Sequence, residues 1–232
     1  MFKKLSKILK DLLFPIECLS CGQEDFWLCQ NCFNKIKTYD KIFPFTEPIK
    51  YLNGVISACP YNQTLLKNLI HAFKFNYLED LAQPLAKILI EFWENNSVRA
   101  RQKNVRARRG APQQIINPII IPVPLNKKRL LERGFNQAEL IAKIFAEHFN
   151  YPLLTTAMIR QKNTSHQVGL NKSQRQNNIK NCFQVIKPET VYGQKIILID
   201  DVVTTGSTLD EAAKALKQKG AVEVWGLTLA KD

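Results

Sequence analysis

Asp200 and Asp201 are adjacent carboxylates, followed after Val202 and Val203 by the turn Thr204-Thr205-Gly206-Ser207-Thr208. What such residues can do depends on the elements that carry them. Lys195 to Ile199 is an apolar run of β-formers, the composition of a strand buried on both faces. Thr208 and Glu211 have capping-box spacing, so a helix is predicted to begin there, with Gly220 as its stop. Strand, acidic pair, small turn and helix thus follow in order. The start of a helix offers unpaired N–H donors and the positive end of a dipole, and Thr and Ser hydroxyls add further donors. Gly206 lets the backbone approach a ligand with no Cβ in the way. Such a turn fits a phosphate monoester. Two carboxylates cannot face that same phosphate, but they suit a sugar diol or a bound cation beside it.

A second constellation lies near the amino end, Cys18-x2-Cys21-x7-Cys29-x2-Cys32. Each CxxC pair can form a knuckle with both thiolates aimed at one ion, and two knuckles close a tetrahedral S₄ site suited to Zn²⁺. The alternatives are redox dithiols or plain buried thiols. A fully ligated site has no open position, which points to structure rather than catalysis. The short spacer favours a small ribbon or treble-clef-like module, with Phe26, Trp27 and Phe33 as its apolar cap. Cys59 and Cys182 stand alone and are expected in the core.

The chain has 232 residues, enough for one α/β domain and a small module. Its formal charge of +13 favours polyanionic partners or substrates: nucleic acid, phosphorylated sugars or anionic membrane. Arg99, Arg101, Lys103, Arg106, Arg108 and Arg109 concentrate charge in one acid-free run. That run, within 95–116, is read as a mobile insertion, with a nucleic-acid-binding arm as the alternative. No window has the apolar length of a membrane span, and no cleavage signal follows the first residues, so a soluble, cytoplasmic protein is expected. Residues 2–14 have apolar positions at helical spacing opposite lysines. This amphipathic helix either docks on its own protein or makes weak membrane-surface contact.

Along the chain, Val55 to Ala58 can form a short strand, Tyr61 to Phe75 a helix and Asp80 to Trp93 a second helix. The α/β core is expected to start at Ile119-Ile120-Ile121, entering Pro122-Val123-Pro124 at the carboxyl edge, where open α/β sheets bind ligands. Arg129 and Arg133 follow, and Asn136 can cap a helix over 137–149. Leu153 to Ile159 and Phe183 to Ile186 are candidate strands around a polar, basic stretch, 162–178, of active-site-flap length. Val222 to Ala230 closes a mainly parallel, doubly wound sheet. The expected units are 1–45 (amphipathic helix and Cys₄ module), 46–94 (helical hood or linker), 95–116 (basic insertion) and 117–232 (α/β domain).

Four apolar residues, two acids, two apolar residues and T-T-G-S-T over Ile196 to Thr208 resemble the phosphoribosyl pyrophosphate (PRPP) signature of type I phosphoribosyltransferases. P-V-P, R-x3-R-G-F-N-Q-A from Arg129, T-x2-Q-x2-L-x4-R-x2-N from Thr164, and the double CxxC resemble one subgroup in particular, the ComF family, associated with DNA uptake in natural transformation. The basic stretch 95–116 is the departure, and it breaks none of the motifs. The resemblance implies a type I phosphoribosyltransferase fold with a zinc module, and PRPP bound with Mg²⁺. It implies that Asp200 and Asp201 hold the ribose hydroxyls and stabilise positive charge. It places the 5′-phosphate on Val203, Thr204, Thr205, Gly206, Ser207 and Thr208, and pyrophosphate on Arg129 or Arg133. Lys162 or Arg175 would arrive on a closing flap, and the helices of 61–93 could form a hood over the base.

Three functions follow. The first is transfer of a phosphoribosyl group from PRPP to a base or amine. The second is handling of single-stranded DNA, with DNA-uptake proteins as partners and a pocket that senses PRPP or a ribose 5-phosphate nucleotide. The third is a zinc-stapled interaction module, against which the retained Asp200 and Asp201 argue.

Overall fold

The computed structural model describes residues 16–40, 45–102, 117–161 and 181–232, with 97–102 described by backbone alone. The amphipathic stretch 2–14, residues 103–116 of the basic run, and the flap 162–178 with Lys162 and Arg175 lie outside them. In chain order the elements are α1 (Gln30–Phe33), β1 (Gly54–Pro60), α2 (Thr64–Phe75), α3 (Ala82–Gln102), β2 (Ile119–Pro122), α4 (Lys127–Arg133), α5 (Gln137–Phe149), β3 (Met158–Arg160), β4 (Phe183–Val185), β5 (Lys195–Val203), α6 (Ser207–Lys217) and β6 (Glu223–Lys231).

Ile196, Ile197, Leu198 and Ile199 are all fully buried because β5 runs through the middle of a parallel sheet ordered β1-β6-β5-β2. Side chains alternate along a strand, so one strand feeds two cores. Ile197 and Ile199 pack with Leu85, Leu89 and Phe92 of α3 and Ile141 and Phe145 of α5. Ile196 and Leu198 pack with Leu209, Ala212 and Leu216 of α6. Trp93 meets Phe145 edge-on at 5.8 Å, joining α3 to α5. Burying each such side chain contributes about 1.5–3 kcal/mol. The doubly wound expectation holds, and Cys59 and Cys182 are buried as expected.

β1 is an edge strand of the main sheet and α3 covers one of its faces, so residues 54–94 belong to the α/β body. Helix α3 continues to Gln102, past the point where the basic insertion was expected to begin. Phe92, Trp93 and Asn96 are buried in that region, and Asn96 Nδ2 donates to the Phe92 carbonyl at 2.8 Å. The candidate strand over 153–159 splits. Leu153 makes an isolated parallel bridge to Ile120. β3 and β4 pair antiparallel in a ribbon of their own. Each is half-buried in alternation, against the α6 side of the sheet, which suits a ribbon rather than an inner strand.

The predicted capping box on α6 does not form. The helix starts at Ser207 after Gly206, which has φ +74°. Glu211 instead accepts the Asn181 N–H at 2.7 Å. Asp210 Oδ1 accepts the N–H groups of Lys50, Tyr51 and Leu52 at 3.0, 2.7 and 3.0 Å, clamping that segment across the helix start. By contrast, Asn136 caps α5 as expected, accepting from Ala138 N–H at 3.2 Å.

Candidate functional site

Parallel pairing decides where the chemistry collects. Pro122 lies beside Ile199 in register, so the loop after β2 and the acids of β5 emerge at one sheet edge. Asn136 Nδ2 donates to the Val123 carbonyl at 3.1 Å, fastening the start of α5 to that loop. Gly134, with φ +74°, ends α4 and donates to the Leu130 carbonyl. Arg129 and Arg133 on α4 are thereby carried to the mouth of the sheet.

Two adjoining hollows result. One, of about 160 Å³, is lined by Arg129, Arg133, Arg160, Gln137, Asp201 and the Val123–Leu125 loop. The other, of about 200 Å³, is lined by the turn Val203 to Leu209. Lys74, Asp200, Val202 and Thr208 line both, so the acidic strand end is the ridge between them. In the turn, the Thr205 and Ser207 hydroxyls lie 2.8 Å apart and both are half-buried. A Cβ on Gly206 would stand 2.8 Å from the Phe45 ring, so the segment clamped by Asp210 packs closely behind the turn.

The two carboxylates have different environments. Asp201 is buried, accepts the Val202 N–H at 2.7 Å through Oδ1, and holds Lys74 Nζ at 2.7 Å through Oδ2. Asp200 accepts the Asp201 N–H at 2.9 Å. Burial, then the charge of Asp201, push the Asp200 carboxyl up to about 7, against the pull of Lys74. Burial lowers the pKa of the Arg133 and Arg160 guanidinium groups, and both stay cationic. Arg133 Nη1 donates to Gln137 Oε1 at 3.0 Å and its guanidinium lies 5.2 Å from the Phe75 ring centre. Carboxylate oxygens are hard donors of the kind Mg²⁺ takes, and a ligand's phosphate oxygens would complete the shell. Asp200 and Asp201 fit that ion.

The arrangement thus offers donors and hydroxyls for one anionic group, cations for another, and an acidic ridge between. Asp200, Asp201, Arg129, Arg133 and the turn 203–208, all singled out in the sequence, come together here. Lys162 and Arg175 lie outside the described residues. Lys74, Arg160 and Gln137 were missed. Gln137 stood inside the R-G-F-N-Q-A motif, which was a signal; Lys74 and Arg160 had none nearby.

The cysteine module stands apart from this edge. Cys18 Sγ receives the Cys29 N–H at 3.5 Å, Gly22 N–H closes the first knuckle on the Cys18 carbonyl at 2.9 Å, and α1 begins just after Cys29. The four Sγ atoms lie within 4.8 Å of one another, near the roughly 3.8 Å of a tetrahedral ZnS₄ unit. Burial raises the Cys18 thiol, but the N–H groups of Cys29, Ser20 and Cys21 outweigh it and bring it down to about 6, favouring a thiolate. The donor set fits zinc. Phe33 is buried against the body, with Lys87 Nζ 4.6 Å from its ring centre, whereas Phe26 is exposed and caps nothing.

Among the described residues no helix is long and apolar enough to cross a membrane. Residues 131–231 match the phosphoribosyl transferase domain family. Competence protein F of Haemophilus influenzae is 33% identical over 227 residues, which cover 94% of this chain and 86% of that protein. DNA utilization protein YhgH of Escherichia coli K12 is 34% identical over 164 residues, 70% of this chain and 66% of that protein. Competence protein ComFC of Bacillus subtilis is 38% identical over 115 residues, 49% of this chain and 45% of that protein. A phosphoribosyl transferase domain behind a four-cysteine module, and a relative alike over nearly the whole length, place this chain in the competence protein F (ComF) family.

Proposed function

We propose that the chain binds PRPP with Mg²⁺ in the cytoplasm and transfers its phosphoribosyl group to a base or amine, in a process linked to DNA uptake. One observation carries this reading. A hydroxyl-lined hollow and an arginine-lined hollow adjoin across an acidic ridge, and PRPP carries a phosphate and a pyrophosphate on either side of a diol. The Thr204–Thr208 turn receives the 5′-phosphate. Arg129, Arg133 and Arg160 neutralise the pyrophosphate as it leaves. Asp200 and Asp201 orient the ribose and stabilise the positive charge that develops on its ring. Bound Mg²⁺ would supply charge neutralisation on the pyrophosphate, with Asp200 and Asp201 as its protein oxygens. The link to DNA uptake rests on the names of the relatives.

Titration of PRPP with Mg²⁺ should raise the thermal midpoint, by linkage worth about 2.7 kcal/mol at a hundredfold excess over Kd. Thr205→Val should weaken the shift by removing a donor to the phosphate. No shift at millimolar PRPP would overturn the assignment. Pyrophosphate release against a panel of bases identifies the acceptor. The formal charge of +13 favours a second reading, single-stranded DNA handling with a PRPP-sensing pocket. In that case DNA affinity falls steeply with salt and no pyrophosphate is released.

A further inference from the structure

Lys74 lies outside the segment that matches the phosphoribosyl transferase domain, yet it lines both hollows. It is carried in the last turn of α2, and its neighbours fix that turn. Phe73 is fully buried and its ring lies 5.4 Å from that of Phe135, next to Gly134. Phe75 lies under the Arg133 guanidinium. The backbone at Lys74 is therefore held to the site from both sides, and what can move is the flexible four-carbon stem. That stem delivers Nζ to Asp201 Oδ2 at 2.7 Å, with both side chains largely shielded from water.

We propose that Lys74 is a resident cation that occupies the divalent-metal position on Asp201 in the free protein and must leave when a metal-chelated ribose phosphate ligand binds. Three features converge on this. Asp201 Oδ1 is committed to the Val202 N–H, so Oδ2 is the oxygen open to a cation, and the ammonium sits on it. The contact joins Lys74, which lines both hollows, to Asp201, which lines the arginine-rich one, beside the strand end where the sugar and its metal would lie. Lys74 also stands among Arg129, Arg133 and Arg160, so the ligand's anionic oxygens offer the displaced ammonium a new partner without leaving the cleft. The consequence is an order of events. The free protein takes up little divalent metal, and the ion arrives with the ligand.

This rests on reading the acidic pair as the ligand ridge, and Mn²⁺ alone tests it apart from PRPP. The full-length, zinc-loaded protein is titrated with Mn²⁺, and free ion is followed by electron paramagnetic resonance. Lys74→Met keeps the stem and removes the charge, and should bind Mn²⁺ at least tenfold more tightly than wild type. Lys74→Arg keeps a cation and should stay near wild type. Asp201→Asn added to Lys74→Met should abolish the gain. Equal Mn²⁺ affinity in wild type and Lys74→Met overturns the proposal, as does a gain that survives Asp201→Asn. Should Lys74→Met fail to fold, Lys74→Gln reads the same contrast. A gain in Mn²⁺ affinity without any PRPP binding by wild type would leave the resident cation standing and remove PRPP as the ligand.

Discussion

Asp200 is the group whose environment makes the sharpest demand on solution behaviour. Its carboxyl rises from an ordinary 3.8 to about 7 in the folded protein, through burial and then the neighbouring Asp201 charge. A carboxyl raised on folding binds more protons in the native than in the unfolded state between those two values. Stability must therefore fall as pH rises from about 4 and level off above about 7. Asp200→Asn removes this dependence, because the amide mimics the protonated acid and its Oδ1 can still accept the Asp201 N–H. The full shift corresponds to a gain for the variant of roughly 2 kcal/mol at pH 5 and roughly 4 kcal/mol at pH 8. Asp200 is only half-buried at the cleft mouth, and water screens part of that, so the gain should grow by about 1–2 kcal/mol between the two pH values. Urea unfolding of both proteins at pH 5 and pH 8, without added divalent ions, reads the difference directly, provided the m-values agree. A gap that is the same at both pH values would refute the reasoning, since Asp200 would then be ionised throughout the range. A ligand that needs both carboxylates ionised should in addition release a proton on binding near pH 7.

The four cysteines should hold about one Zn²⁺ per chain by metal analysis, and Cys21→Ser should lose the metal and loosen the module from α3. Freshly purified, reduced protein without zinc would contradict that. Asp210→Ala leaves the N–H groups of Lys50, Tyr51 and Leu52 without their shared acceptor, and should cost about 2–4 kcal/mol in denaturant unfolding. Asp210→Asn, which keeps an acceptor oxygen, should cost clearly less.

What could be read from the sequence was what local chemistry decides. The run Lys195 to Ile199 is apolar at every position after the lysine because both of its faces are covered, and its β-branched residues favour a strand. The turn, the Asn136 cap and the two cysteine knuckles are likewise fixed by residues within a few positions of one another. The misreadings share a cause. Glu211 has the right spacing for a capping box but is drawn away by Asn181, which is not a local partner. Helix α3 runs into a stretch whose composition resembles disorder, because Phe92, Trp93 and Asn96 anchor it on one side. β3 and β4 carried the composition of strands but not the information that they pair with each other. The site cations show the limit most clearly. Nothing around Lys74 or Arg160 separates them from any other basic residue on a helix or short strand. Yet the sequence did contain a demand for them. Two adjacent carboxylates at the end of a buried strand cannot both stay ionised without positive charge nearby, because burial penalises each charge and each penalises the other. The fold meets that demand with Lys74 on Asp201, while burial and the Asp201 charge raise the Asp200 carboxyl well above its ordinary value. The acidic pair therefore implied a cation from elsewhere in the chain, and only the packing of α2 against Phe135 and Arg133 determined which one.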